Sequence, residues 1–137
     1  MDKNYFKKVI PSDPNYLPEV EEFVIEIAKQ AGLSNNKIHN LALSVAEASS
    51  NSIIHGNKRD INKNVTIEVM YDDKNFEVSL HDEGCGFDIS KVPDPTEPEN
   101  ILKDSGRGIH IMKSFLDDLR YEFSENGTTV TLLIKLN

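Results

Sequence analysis

Two neighbouring runs of this sequence alternate apolar and polar residues with a period of two. Val65, Ile67, Val69 and Tyr71 share one side of the first run, and Phe76, Val78 and Leu80 share one side of the second. Asp72-Asp73-Lys74-Asn75 lies between them and has the composition of a turn. Successive side chains of a strand point to opposite faces, so the pattern demands a hairpin with one buried face. Something else in the chain has to cover that face.

The first third of the chain supplies the cover. Tyr5 to Ile10 reads as a short strand ended by Pro11, and Asp13-Pro14 is a helix-start signal. Leu17, Val20, Phe23, Val24, Ile27, Ala28 and Ala31 then recur at helical spacing until Gly32. Ser34 caps a second predicted helix that runs to about His55-Gly56. After the hairpin, a stretch from Asp88 to Ser105 holds Pro93, Pro95 and Pro98 and has no clear period. Gly106 to Leu116 reads as a short helix, and two further strands, near Leu119–Phe123 and Thr128–Leu136, flank the hairpin signal Asn126-Gly127. The predicted fold is α+β: a two-layer α/β sandwich whose mixed, mostly antiparallel sheet is covered on one face by helices.

A length of 137 residues fits one domain, 1–137, and leaves no room for a second of ordinary size. The net charge of −8 opposes a nucleic-acid partner, which wants a basic face, but not a nucleotide, which a few local donors can hold. A single cysteine, Cys85, forms no internal disulfide. No apolar stretch approaches the roughly 20 residues of a membrane span, and Met1-Asp2-Lys3-Asn4 opens no signal peptide. The expectation is a cytoplasmic protein with no membrane contact.

Three features point to a pocket. On the second helix, Ile38, Leu41, Ala42, Val45, Ser49 and Ile53 fall on one side, while Glu47 and Asn51 lie opposite, one turn apart, with His55 a turn further. Their neighbours Leu43, Ala46, Ala48, Ser50 and Ile54 are apolar or small, so the helix reads as buried on both sides. A buried carboxylate and amide need partners, which a ligand or metal would supply; a solvent face with an incidental pair is the alternative. On the strands, the inward row Phe76, Val78, Leu80 continues in phase to Asp82, and Leu136, Ile134, Leu132, Val130 continues in phase to Thr128. An inward Asp82 either caps a turn or accepts from a donor such as the exocyclic amine of adenine. Finally, Gly84 and Gly86 follow the acid directly, and Gly106-Arg107-Gly108 opens a helix whose free N–H groups can face a phosphate.

This ordered set resembles the GHKL, or Bergerat-fold, ATPases, which include histidine-kinase catalytic domains. Glu47-Ala-Ser-Ser-Asn51-Ser-Ile-Ile-His55 is similar to their N box. Asp82-x-Gly84-x-Gly86-Phe87 and Gly106-Arg107-Gly108-Ile109 are similar to their two glycine boxes, and Gly127-Thr128-Thr129-Val130 to their closing strand. Size and wording, including Ser52-Ile53-Ile54-His55-Gly56 and Ser105 to Met112, resemble the bacterial anti-sigma-factor serine kinases most.

The resemblance implies ATP and Mg²⁺ as cofactors. Asn51 would ligate the metal, Glu47 would orient or deprotonate the attacking hydroxyl, and Asp82 with Thr128 would read adenine. Gly84 and Gly86 would shape the pocket, and Gly106 and Gly108 would donate N–H groups to phosphate. Residues 88–105 would form the ATP lid, with Arg107, Lys103 and His55 as charge stabilisers. His39, His81 and His110 show no ligand-like arrangement and read as structural. The implied activity is phosphorylation of a serine on an anti-anti-sigma-type partner, with a sigma factor as a further partner and a homodimer through the first strand and helix. A non-catalytic nucleotide switch and an orphan kinase domain with another phosphoacceptor are the alternatives. Asp104 stands where some members of the kinase branch carry an arginine, which bears on transfer more than on binding.

Overall fold

The computed structural model describes residues 3–58, 60–84, 116–124 and 127–136. In chain order they form β1 (Asn4–Pro11), a 3₁₀ turn (Pro14–Tyr16), α1 (Leu17–Ala31), α2 (Asn35–Asn51), a π-helical turn (Ser52–Gly56), β2 (Asn64–Tyr71), β3 (Asn75–Asp82), β4 (Asp118–Ser124) and β5 (Gly127–Lys135).

Local chemistry sets most of these boundaries. The Asp13 side chain accepts from Asn15 N at 2.9 Å, and the chain makes a 3₁₀ turn before α geometry begins at Leu17, slightly later than Asp13-Pro14 suggests. Gly32, at φ 90°, closes α1 in the left-handed conformation that only glycine adopts cheaply. Ser34 Oγ accepts from Lys37 N at 3.3 Å and caps α2, as predicted. Asp72 Oδ1 accepts from the amides of Lys74 and Asn75 and turns β2 into β3.

The strands form one sheet in the order β1-β2-β3-β5-β4. The sequence suggested a mixed sheet, but every pairing among the described strands is antiparallel. Two helices stand between β1 and β2, so the chain returns to the sheet in the opposite sense, and β5 inserts between β3 and β4.

The helices cover one face. Val20, Val24 and Ile27 of α1 and Leu41, Val45 and Ala48 of α2 pack with Val65, Ile67, Val69, Phe76, Val78, Leu80, Val130, Leu132 and Ile134 of the sheet. Burying each larger aliphatic or aromatic side chain contributes about 1.5–3 kcal/mol, so this face decides the fold. The opposite face carries the in-register row Lys7, Glu68, Ser79, Thr131 and Arg120. Among the described residues no helix is long and apolar enough to cross a membrane.

Candidate functional site

One cross-strand row on the helix-covered face runs Ile10, Val65, Asp82, Thr128, Phe123. Asp82 and Thr128, each predicted as the polar end of an apolar row, are direct partners across β3 and β5. Asp82 is buried, with 3% of its surface exposed. Its Oδ1 accepts from Gly84 N at 3.1 Å and from Thr128 N at 3.3 Å. Burial pushes its carboxyl above the ordinary value, while the two amide donors and the nearby His81 and Lys63 pull the other way.

The space around this carboxylate exists because side chains are missing. A Cβ on Gly56 would lie 2.2 Å from Asp82 Oδ2, and one on Gly84 would lie 2.9 Å from Gly56 O. At Gly127, φ is 137° and a Cβ would sit 1.9 Å from the Asp82 carbonyl oxygen. Backbone from the π turn, from the segment after β3 and from the start of β5 therefore closes on one acidic group.

The π turn itself was not foreseen. The sequence predicted regular helix to about residue 56, but α geometry ends at Asn51 and the next five residues wind more widely. Such bulges are frequent at functional sites because they re-aim the chain. Here the widened turn packs against β3 and β5 and delivers Gly56 to Asp82.

Asn57, next in the chain, is 1% exposed. Its Oδ1 accepts from Glu83 N at 2.7 Å, and its Nδ2 donates to Asn64 O at 3.0 Å and Ser12 Oγ at 2.7 Å. Ser12 Oγ in turn donates to Lys63 O at 2.7 Å, and the Glu83 carboxylate accepts from Asn64 N. Sequence reasoning assigned no role to Gly56 or Asn57. His55-Gly56 marked the approximate end of the helix, but nothing local reveals the burial of the asparagine that follows.

Glu47 and Asn51 are half-buried on α2, one turn apart, as the stripe required. His55 falls in the π turn and is exposed, so it does not continue that half-buried stripe. Leu43 is also exposed, at 45%, so the helix is less enclosed than its composition suggested. Tyr121 of β4, stacked on Phe123 with ring centroids 6.0 Å apart, has its phenol pushed up to about 12 by burial and by the charge of Glu47. The second-helix carboxylate thus reaches the inner face of the sheet electrostatically. His81 Nδ1 pairs with Thr129 Oγ1 at 2.8 Å, a structural contact between strands.

Among the described residues no three His, Cys, Asp or Glu side chains cluster as a metal site. A hard cation brought in with a polyphosphate fits the single amide oxygen of Asn51, because Mg²⁺ keeps waters and substrate oxygens as most of its ligands. Gly86, Gly106, Arg107 and Gly108 lie outside the described residues, as do Lys103, Asp104, His110, the 88–105 segment and the predicted helix from Gly106 up to its last residue.

The chain belongs to the histidine kinase-like ATPase domain family, whose profile matches residues 10–134. It is 26% identical to the serine-protein kinase RsbW of Bacillus subtilis over 98% of this chain and 87% of that protein. It is 28% identical to RsbW of Listeria monocytogenes over 93% of this chain and 85% of that protein. Among solved structures it is similar to the RsbU and RsbW domains of a Mycobacterium tuberculosis protein, with a TM-score of 0.70 and 16% identity, covering 97% of this chain and 32% of that one. It is also similar to the histidine kinase domain of a blue-light activated Erythrobacter litoralis protein, with a TM-score of 0.60 and 17% identity, covering 93% and 62%. The family resemblance and the α+β fold expected from the sequence are borne out.

Proposed function

We propose that this protein is a Mg-ATP-dependent serine-protein kinase that phosphorylates a serine on an anti-anti-sigma-type partner and so controls partner exchange, with a sigma factor as the second partner. The observation that carries the nucleotide part is the buried Asp82 carboxylate in a cradle that a Cβ at Gly56 or Gly84 would fill. A buried inward acid is unfavourable unless donors surround it; the Gly84 and Thr128 amides supply two to Oδ1, and an adenine amine is the kind of donor that would supply a further one.

The chain's own residues divide the remaining work. Thr128 sits beside Asp82 and offers a hydroxyl to the base or to a bridging water. Asn51 offers its amide oxygen to the metal, and Gly84, Gly86, Gly106 and Gly108 supply backbone to the nucleotide. Mg-ATP, when bound, supplies the phosphoryl group. Glu47, one helical turn before Asn51, accepts the proton of the attacking serine hydroxyl or orients it. Arg107 and His55 are candidates for charge stabilisation. The product carries about two added negative charges at the partner's interface, enough to change which protein it binds. The RsbW relatives carry the name serine-protein kinase, which supports this reading.

For the assembly, we place a second copy against β1, an edge strand among the described strands, and α1, where a groove of about 400 Å³ is lined by Phe6, Lys8, Glu19, Glu22, Phe23, Glu26 and Ile27. A single domain spanning 1–137, acting in the cytoplasm, completes the proposal.

Incubation with labelled ATP, Mg²⁺ and an anti-anti-sigma-type protein tests it. Label should appear on a partner serine and vanish with Glu47→Ala, while nucleotide binding persists. Tight ATP binding with no transfer would favour a nucleotide-gated switch, the reading that Asp104 supports. Absence of any adenine-nucleotide binding would end both.

A further inference from the structure

Asn57 is buried, and its three side-chain hydrogen bonds all end at the point where the sheet opens below Asp82. The β2–β3 ladder pairs Val65 with Asp82, and the next rung would join Asn64 to Glu83. At that rung the Asn57 carboxamide stands between the strands: its oxygen takes the Glu83 N–H at 2.7 Å and its nitrogen gives to the Asn64 carbonyl at 3.0 Å. A side chain with one acceptor and two donors reproduces what a peptide group would contribute there. Its second donor is anchored on Ser12, at the end of β1, and Asn57 N itself donates to Ser52 O of the π turn at 2.9 Å. One buried residue thus ties β1, β2, the π turn and the residue after Asp82.

We infer that Asn57 is the positioning residue of the base-reading site: by holding Glu83 away from its ladder rung, it makes the chain turn at Gly84 so that the Gly84 amide meets Asp82 Oδ1 and the carboxylate is fixed in one orientation. The inference rests on Asp82 reading the exocyclic amine of adenine, as proposed above. Glu83 links Asn57 to Gly84. If Asn57 releases its N–H, the Gly84 amide two residues from Asp82 loses its fixed approach, and Oδ1 keeps only the Thr128 donor. A Cβ on Gly56 would lie 2.2 Å from Oδ2 of the same carboxylate, and Gly56 immediately precedes Asn57, so one wall of the cradle and the residue that holds Glu83 come from one short segment.

The test compares ATP with purine riboside triphosphate, which has the same ring, sugar and phosphates but lacks the exocyclic amine. Calorimetric titration of the full chain with each, in Mg²⁺, gives the ratio of their dissociation constants. In the unaltered protein ATP should bind about 10-fold to 100-fold more tightly, the range expected when a hydrogen bond to a charged group is lost. Asn57→Ala should cut that ratio by at least about fivefold. A purely structural role would lower the melting temperature and weaken both ligands alike, leaving the ratio where it was, and that outcome overturns the positioning role. If the unaltered protein binds both analogues equally, Asp82 does not read the amine, and the adenine assignment falls together with this inference. Should Asn57→Ala not fold, Ser12→Ala removes one anchor and leaves the two ladder bonds. The ratio must then fall at least about twofold, and an unchanged ratio overturns the role.

Discussion

Gly56→Ala adds one methyl group where the structure leaves no room for it. The new Cβ would lie 2.2 Å from Asp82 Oδ2, 2.4 Å from its Cγ and 2.8 Å from its Oδ1. Comfortable contact between heavy atoms lies near 3.5–4.0 Å, so the carboxylate must retreat by more than about 1 Å. It cannot do so and keep the amide bonds from Gly84 and Thr128, which already measure 3.1 and 3.3 Å. Overpacking of this kind costs about 1–3 kcal/mol. The opposing contribution is smaller: alanine gains about 1 kcal/mol over glycine in a helical turn, and Gly56 is not among the positive-φ positions, so the backbone adds no penalty. The net loss is at most about 2 kcal/mol, or up to roughly 8 °C in melting temperature for a domain of this size. Affinity should fall further than stability suggests, because the displaced group is the one proposed to meet the base. A 10-fold to 100-fold rise in the ATP dissociation constant corresponds to about 1.4–2.8 kcal/mol. Calorimetric titration with ATP and a thermal melt of the unliganded protein measure both. An alanine variant that binds ATP within twofold of the parent would show that the space beside Gly56 does not set the position of the Asp82 carboxylate.

Two further predictions use the ionisable groups. Burial raises the Asp82 carboxyl above the value of 3.8, so the folded state binds a proton more readily than the unfolded chain, and the acid lowers stability as pH rises through that window. Asp82→Asn should therefore melt no lower than the parent at neutral pH while binding ATP about tenfold more weakly or worse; a lower melting temperature with unchanged affinity would contradict both halves. The Tyr121 phenol, held up to about 12 against an ordinary 10, contributes stability that is complete below 10 and declines as pH rises through the gap. Tyr121→Phe should flatten that alkaline decline in urea-unfolding curves, and Glu47→Gln should reduce it in part, since the Glu47 charge is one of its causes. An alkaline decline identical in all three proteins would dissociate Tyr121 from Glu47.

Period-two alternation revealed more of the site than any motif did alone. The rows ending at Asp82 and Thr128 were legible because each side chain's face follows from counting, and the register then makes them direct partners. Ser34 and Gly32 were equally readable, since caps and left-handed stops act through residues beside them. The π turn was not, because Ser52 to Gly56 carries no residue that forbids ordinary α geometry; packing against β3 and β5 decides it. Asn57 went unassigned. Its partners Ser12 and Glu83 are 45 and 26 positions away in the chain, a separation that local pattern cannot bridge. The β4–β5 hairpin was readable from Asn126-Gly127, but the insertion that pairs β5 rather than β4 with β3 was not, for the same reason of separation along the chain.

That insertion also governs the order in which the molecule can assemble. The hairpin of β2 and β3 forms from neighbouring residues, but the second amide donor to Asp82 arrives from Thr128, 46 residues later. Contacts across such separations must first overcome loop-closure entropy, and they form late on the folding path. A collapsed chain can thus hold both helices and the β2–β3 hairpin with its acidic group still half-dressed. With Asp82 in its proposed role, nucleotide binding becomes a readout of finished folding, and a chain stalled before β5 docks would have helical and strand signals without an occupied pocket.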